Sequence, residues 1–261
     1  MSNPDIALPP RVNILGVGVS ALNMPLTLLL IEQAIQQKQK GYITVTEVRG
    51  IMAAQGDPAL RKVFNNSFLT TPDGMPTVWL GRGQGRKEMS RVYGPDLLLA
   101  VCNASVDRGY RHFFFGGDTG VADELSAALC ERFPGLVVVG TNTPPFRPLN
   151  EAEWSELKQQ VADVKPDIFW VGLSTPKQDR FMAEHLDELD TTLMIGIGAA
   201  FDIHSGRKRE APRWMMKCGL QWLQRLCREP RRLARGYLIT IPAFLIKSFC
   251  QLAKLRKYPI D

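Results

Sequence analysis

The sequence predicts an α/β fold, with a Rossmann-like parallel sheet flanked by helices and a helical C-terminal appendage after it. Three observations indicate this fold. Short apolar runs rich in β-branched residues alternate with longer amphipathic segments, as expected for buried parallel strands joined by helices. Helix-start signals precede several of the amphipathic segments. Beyond residue 204 the strand-like runs stop, and the pattern is helical alone.

Seven apolar runs are candidate strands, and seven amphipathic segments follow them. The candidate strands are residues 12–17, 42–46, 67–71, 111–115, 136–140, 167–172 and 192–197. The candidate helices lie near residues 24–38, 58–65, 75–82, 95–108, 119–132, 150–163 and 177–187. Asn23 is a suitable cap for the first helix, and Asn150 precedes two glutamates at the start of the sixth. The alternation predicts right-handed crossovers between parallel strands.

The charge distribution divides the chain into two parts. Residues 205–261 hold 14 Lys/Arg against 3 Asp/Glu, whereas residues 1–204 hold 18 against 23. We therefore predict an α/β core over residues 1–204 and a basic amphipathic helical appendage over residues 205–261. A basic appendage of this kind suits an anionic partner, either phospholipid or nucleic acid. A solvated basic face, or helices packed on the sheet for stability alone, are the other interpretations.

Composition favours a globular protein of a reducing compartment. The 261 residues, 45% of them hydrophobic, are enough for one large core. The five cysteines include no C-x-x-C pair, which argues against a zinc site or a disulfide framework and favours the cytoplasm. Residues 1–10 lack the apolar stretch of a signal peptide, and no run reaches the roughly 18–20 apolar residues that span a bilayer.

The loops that follow the predicted strands are the places to look for chemistry, because parallel sheets bind ligands beyond the carboxyl ends of their strands. Asp73 follows the strand at 67–71 and precedes Gly74, so its carboxylate could act as a general base or cap the next helix. Three glycines, Gly116, Gly117 and Gly120, follow the strand at 111–115. They could let backbone amides approach a phosphate, or form a tight structural turn.

The loop after the strand at 167–172 has a further set of candidate binding residues. Pro176 suits a first helical turn, so Lys177 and Gln178 would lie at the helix N-terminus and face the ligand. A lysine can pair with a diphosphate, and a glutamine can hydrogen-bond a sugar or a base. An ordinary capped helix is the alternative.

Cofactor and metal signals are weak. Gly16 and Gly18 resemble the start of a dinucleotide fingerprint, but Ala21 stands where its next glycine is expected. The chain has no D-x-D pair, and its three histidines are scattered. We therefore expect no resident cofactor and no metal site. Any bound diphosphate would be neutralised by backbone amides and by Lys or Arg side chains.

Several motifs together resemble the bacterial WecG/TagA/CpsF glycosyltransferases (glycosyltransferase family 26), and more specifically their exopolysaccharide-type branch. In order along the chain they are VTEVRGIMAAQGDPALR (45–61), TPDGMPTVWLGR (71–82), RVYGPDLLL (91–99), FFFGGDTGVADELSAAL (113–129), VGLSTPKQDRFM (171–182), GIGAAFDIHSG (196–206) and APRWMMKCGLQWLQRLCREPRRLARGYL (211–238). The resemblance covers about residues 12–245.

The resemblance implies an inverting, metal-independent transfer from a UDP-sugar to a polyprenyl-diphosphate-linked saccharide. It implies that Asp73 is the catalytic base and that Thr46 lines the donor site. It also implies donor binding by Gly172, Pro176, Lys177 and Gln178, and a catalytic contribution from appendage arginines, for which we select Arg225 and Arg232. Many members have T-P-N where this chain reads Thr46-Glu47-Val48. This departure favours a hexose or a uronic acid as the sugar, with an N-acetylhexosamine as the third option.

These implications define the expected partners and location. The partners are a UDP-sugar, a lipid-linked saccharide and an anionic membrane surface, without nucleic acid. The protein is expected to be cytoplasmic and peripheral on the inner face of the bacterial cell membrane. A nucleotide-cofactor-dependent oxidoreductase and a nucleic-acid-binding protein that uses the basic appendage are the competing hypotheses.

Overall fold

The computed structural model describes residues 7–228 and 230–260; the side chains at 217, 225, 228 and 231–235 lie outside this description. The strands are β1 Arg11–Ile14, β2 Val17–Ser20, β3 Gly41–Thr46, β4 Leu69–Pro72, β5 Arg111–Gly116, β6 Val137–Asn142, β7 Ile168–Gly172 and β8 Leu193–Gly196. The helices are α1 Met24–Gln36, α2 Val48–Ala53, α3 Pro58–Asn66, α4 Met75–Gly83, α5 Gly94–Val106, α6 Val121–Arg132, α7 Glu151–Val164, α8 Lys177–His185, α9 Ala200–His204, α10 Arg213–Lys217, α11 Gln221–Arg228 and α12 Pro230–Leu252.

Six strands form one parallel sheet in the order β4-β3-β8-β7-β5-β6. The six candidate strands from 42–46 onward are thus confirmed. Their apolar runs are continuous because both faces of the sheet are covered. Phe114, Trp170 and Ile195 pack into one core with α1, α5 and α6, whereas Phe113 and Phe169 pack into a second core with α7 and α8.

The candidate strand at 12–17 is different, and its assignment to the parallel sheet is wrong. β1 and β2 form a separate antiparallel hairpin, whose turn contains Leu15 at φ 53° and Gly16 at φ 84°. Its apolar residues are buried against Phe64 of α3 and Phe244 of α12. Hydrophobic periodicity reports that a strand is buried, but it does not report which strand is its partner.

The seven candidate helices are confirmed as α1 and α3 to α8. Asn23 caps α1 by accepting a hydrogen bond of 3.0 Å from the backbone N–H of Leu26. Asn150 and Glu153 form a reciprocal capping box at the start of α7. Two short helices were not predicted from the sequence, α2 directly after β3 and α9 after β8.

The C-terminal helices pack against the sheet domain. Gln251 in α12 donates to the carbonyl oxygen of Asn13 at 3.0 Å and accepts from the backbone N–H of Leu15 at 3.0 Å. The side chain of Asn13 donates to the carbonyl oxygen of Tyr258 at 2.6 Å. These bonds join the end of α12 and the chain after it to the N-terminal hairpin. Across the residues that the structure describes, no helix has the length and apolar character to cross a membrane.

Candidate active site

A cleft of about 750 Å³ lies at the carboxyl ends of β4, β3, β8 and β7. Its walls come from the loops after these strands and from the appendage. Those from the loops include Glu47, Asp73, Ser174, Pro176, Gln178 and Gly198; those from the appendage include Lys208, Arg209, Glu210, Gln221 and Tyr237. Ligand pockets are typically about 300–1,000 Å³, so the cleft has room for a nucleotide sugar. The site lies where a parallel sheet is expected to have it.

Asp73 follows β4 on the wall of this cleft. Its backbone N–H donates to the carbonyl oxygen of Thr46 at 3.2 Å, which fixes it beside the end of β3. Arg91 donates from Nη2 to Asp73 Oδ1 at 3.2 Å and from Nε to the Asp73 carbonyl oxygen. Gly74 is the N-cap residue of α4 and makes no side-chain cap bond. Asp73 thus lies one residue before the N-cap of α4, and its carboxylate lines the cleft beside a guanidinium group.

Arg91 connects Asp73 to the appendage. Its guanidinium carbon lies 4.2 Å from the ring centroid of Tyr93, and its Nη2 donates to Gln221 Oε1 at 2.6 Å. Gln221 in turn donates from Nε2 to the Tyr93 hydroxyl at 2.9 Å. Burial and the nearby negative charge of Asp73 raise the pKa of Tyr93, so its phenol stays neutral. The first residue of α11 is thus hydrogen-bonded to the group that pairs with Asp73.

Thr46 ends β3 and pairs with Pro72, the residue before Asp73. Its side chain is buried and donates to Thr44 Oγ1 at 3.3 Å. The residues on either side of it in sequence, Val45 and Glu47, line the cleft. Thr46 therefore lies at the base of the site rather than on its open surface.

The loop after β7 brings Pro176 and Gln178 to the cleft. Gln178 is only 3% exposed, and its Oε1 has no hydrogen-bond partner among the described residues. A Cβ at Gly196 would lie 3.0 Å from Gln178 Nε2, and one at Gly198 would lie 3.1 Å from Oε1. Glycines at the end of β8 and just after it thus leave room for this amide. A buried carbonyl oxygen without a partner on a cleft wall is well placed to accept a hydrogen bond from a ligand.

Lys177 and Gly172 lie outside the lining of the cleft. The Lys177 side chain is exposed, and its ammonium lies 4.9 Å from the ring centroid of Phe146. A Cβ at Gly172 would meet the ring of Phe201 at 2.8 Å, so close packing requires glycine there.

The three candidate glycines after β5 also lie outside the lining of the cleft. A Cβ at Gly116, which has φ 127°, would lie 2.7 Å from the backbone of Gly172. One at Gly117, which has φ 79°, would lie 2.7 Å from the side chain of Val121. Gly120 is the N-cap of α6 and has φ 79°. Strand packing and the turn into α6 explain glycine at these positions, and a contact with a phosphate stays a prediction.

Arg225 and Arg232 belong to α11 and α12, and their side chains lie outside the described part of the structure. Among the described residues that line the site, those not predicted from the sequence include Arg49, Arg91, Tyr93 and Gln221. Arg49 follows a strand end and could have been found by the argument that found Asp73. The other three reach the site through tertiary contacts alone.

The expectation of no resident cofactor stays a prediction, and the fold accounts for the weak dinucleotide signal in the sequence. Gly16 lies in the tight turn of the β1–β2 hairpin rather than between a strand and a helix, so the dinucleotide-fingerprint interpretation of Gly16 and Gly18 is wrong. Over residues 7–228 and 230–260, no three His, Cys, Asp or Glu side chains cluster as metal ligands. The expectation of no metal stays a prediction.

Comparison with known proteins shows the family of the chain. The family model described as "Glycosyl transferase WecG/TagA/CpsF family" matches residues 12–258. A Bacillus subtilis strain 168 protein named N-acetylglucosaminyldiphosphoundecaprenol N-acetyl-beta-D-mannosaminyltransferase is 25% identical over 212 residues, which are 81% of this chain and 80% of the relative. A protein of the same name from Bacillus spizizenii strain W23 is 26% identical over 210 residues, 80% of this chain and 79% of the relative. The chain therefore belongs to the WecG/TagA/CpsF family of glycosyltransferases.

Proposed function

We propose that this glycosyltransferase moves a sugar from a UDP-sugar to a polyprenyl-diphosphate-linked saccharide, with inversion at the anomeric carbon. The observation that carries the proposal is the Asp73 carboxylate, held by Arg91 at 3.2 Å on the wall of a cleft of nucleotide-sugar size. The relatives' names supply the acceptor class, a saccharide on diphosphoundecaprenol. The donor sugar is a hexose, a uronic acid or an N-acetylhexosamine, used in exopolysaccharide or other surface-polymer synthesis.

In this reaction an acceptor hydroxyl attacks the anomeric carbon of the donor from the face opposite UDP. Asp73 takes the hydroxyl proton as the new C–O bond forms. The bond from the anomeric carbon to the diphosphate oxygen breaks, and UDP leaves with the electron pair. A positioned general base contributes roughly 10²–10⁴-fold to such a step. Arg91 orients the Asp73 carboxylate through the 3.2 Å contact between Nη2 and Oδ1.

The charge that develops on UDP is met by cationic side chains. Arg49, Lys208 and Arg209 line the cleft together with Glu47, Asp202 and Glu210. Lys208 is ion-paired with Asp202, so Arg49 and Arg209 are the groups that we assign to the diphosphate. The appendage arginines Arg225 and Arg232 are proposed to complete this set. Cationic groups in a site shielded from water stabilise developing negative charge strongly. We therefore propose that transfer needs neither a divalent metal nor a cofactor.

Membrane docking by the appendage would bring the enzyme to its lipid-linked acceptor. Several large apolar side chains of α12 are exposed to solvent: Leu238, Ile239, Leu245, Ile246, Phe249 and Leu252. Exposed Lys254, Arg256 and Lys257 follow them. Exposed apolar residues beside basic ones are typical of helices that lie in the membrane interface. We propose that the protein is peripheral on the cytoplasmic face of the bacterial membrane. The same mixture of residues favours lipid over nucleic acid as the anionic partner.

The decisive experiment is a transfer assay with the full chain. UDP-hexoses, UDP-uronic acids and UDP-N-acetylhexosamines are each offered with an N-acetylglucosamine-diphosphate-polyprenol acceptor, and the anomeric configuration of the product is read by NMR. We expect one donor class to be transferred with inversion, and we expect Asp73→Asn to remove transfer. Asp107→Asn, an exposed aspartate after α5, is the matched control. A folded enzyme that retains the donor configuration, or transfers none of these sugars, would contradict the proposal.

A further inference from the structure

A second, smaller cavity adjoins the cleft beneath the appendage. Its volume is about 120 Å³. It lies between the start of α4, the α10–α11 turn and one face of α12, and its wall is mostly apolar. The apolar wall residues are Val48, Met75, Pro76, Met216, Trp222, Tyr237, Ile241, Phe244 and Leu245. We call this cavity the apolar slot.

One end of the apolar slot is polar and belongs to the active site. Asp73 and Gln221 line both the slot and the cleft, and so do Glu47 and Arg49. Arg91 also borders the slot beside Asp73. An amphipathic ligand that enters the slot therefore has its polar end at the proposed general base and at guanidinium groups, while its apolar part is enclosed by hydrocarbon and aromatic side chains.

The other end of the slot leads to the exposed apolar side of α12. Leu245 is a wall residue of the slot and is 60% exposed. Phe249 and Leu252 follow it at i+4 and i+7, on the same side of the helix, and are 66% and 49% exposed. Apolar surface is therefore continuous from the neighbourhood of Asp73, over Leu245, to the outer surface proposed to meet the membrane.

We propose that the apolar slot binds the first isoprene unit of the acceptor's polyprenyl chain. An apolar cavity of about 150 Å³ in another protein holds a six-carbon benzene ring, so a slot of this size suits a five-carbon unit. The saccharide then occupies the space shared with the cleft, its diphosphate lies near Arg49 and Arg91, and the rest of the chain leaves over Leu245. The inference rests on the proposed function and assigns the lipid end of the acceptor to a site formed by the appendage.

Slot-filling variants test this assignment. Ile241→Trp places a large ring in the slot, whereas Leu29→Trp adds the same ring at an exposed position of α1 that does not line it. Each full-length variant is assayed in detergent with two acceptors: the saccharide diphosphate esterified to a polyprenol, and the same saccharide diphosphate esterified to methanol. The measured quantity is the ratio of kcat/KM for the polyprenyl acceptor to kcat/KM for the methyl acceptor.

We expect Ile241→Trp to lower this ratio at least tenfold, and Leu29→Trp to leave it within twofold of wild type. Leu245→Trp, at the exposed mouth of the slot, should act like Ile241→Trp and is the second variant if Ile241→Trp does not fold. A ratio that stays at the wild-type value in both slot variants overturns the assignment. If kcat/KM falls equally with the two acceptors, the saccharide rather than the lipid occupies the slot. If wild type transfers to neither acceptor, the proposed function itself fails.

Discussion

Substitution of Asp179 tests how a buried carboxyl group beside the active site makes the stability of the protein depend on pH. It follows Gln178 in the first turn of α8, and its side chain is fully buried. Burial raises its pKa from the ordinary value of 3.8 to about 7. The same carboxyl in the unfolded chain is solvated and ionises near pH 4. Asp179→Asn keeps the shape of the side chain and removes the titration, so it isolates the contribution of this proton to stability.

The sign and size of the stability change follow from the linkage between proton binding by Asp179 and folding. Below about pH 4 both states carry the proton, so the aspartate imposes no electrostatic penalty. Between pH 4 and 7 the unfolded chain releases the proton while the folded chain keeps it, and the free energy of unfolding falls as pH rises. About three pH units at about 1.4 kcal/mol each give a penalty of at most about 4 kcal/mol, complete above pH 7.

Urea unfolding of wild type and Asp179→Asn at pH 4.5, 6 and 7.5 measures this penalty. The free energy of unfolding of the variant minus that of wild type is compared across pH, because the contributions of the other titrating groups are the same in both proteins. The variant should gain stability progressively over wild type as pH rises. Asp187→Asn, an exposed aspartate after the same helix, should change stability by less than about 0.5 kcal/mol at each pH. A difference that is independent of pH, or that shrinks toward pH 7.5, would refute the reasoning.

Three further predictions concern catalysis. Asp73→Asn should lower kcat by roughly 10²–10⁴-fold, since the amide cannot take the acceptor proton, while calorimetry should show UDP bound nearly as tightly as by wild type. Excess chelator should leave the initial rate unchanged; a loss restored by Mg²⁺ or Mn²⁺ would show that a metal holds the diphosphate. Gln221→Ala, which removes the 2.6 Å contact to Arg91, should lower kcat about tenfold without changing the donor KM, whereas Leu223→Ala on the same helix should not. Equal kcat losses in these two variants would assign Gln221 a structural role alone.

The sequence predicted the parallel sheet well because its strands are buried on both faces. Such strands are continuous apolar runs, as at 167–172, and the parallel arrangement directs their carboxyl ends to one side. Asp73 and Gln178 could be named in advance for that reason. The hairpin at residues 11–20 was misassigned because a buried strand has the same pattern whether its partner is parallel or antiparallel.

Other parts of the site have no local signal. Arg91 lies in the segment between α4 and α5, and only the folded chain shows that it reaches Asp73. Gln221 comes from the appendage, 130 residues further along the chain. Gly116 and Gly117 show a different difficulty. In the sequence, a glycine that permits close packing of strands cannot be told from a glycine that lets a backbone amide approach a phosphate.

The bonds between the N-terminal hairpin and α12 have a consequence for biosynthesis. Leu15 and Gln251 are 236 residues apart, and Asn13 and Tyr258 are 245 apart. At about 5–20 residues per second, the ribosome needs roughly 10–50 s between making the hairpin and making its partners. During that interval the hairpin lacks its contact with Phe244 and its hydrogen bonds to Gln251 and Tyr258. Deletion of the last helix would remove these late contacts and leave the hairpin packed on Phe64 of α3.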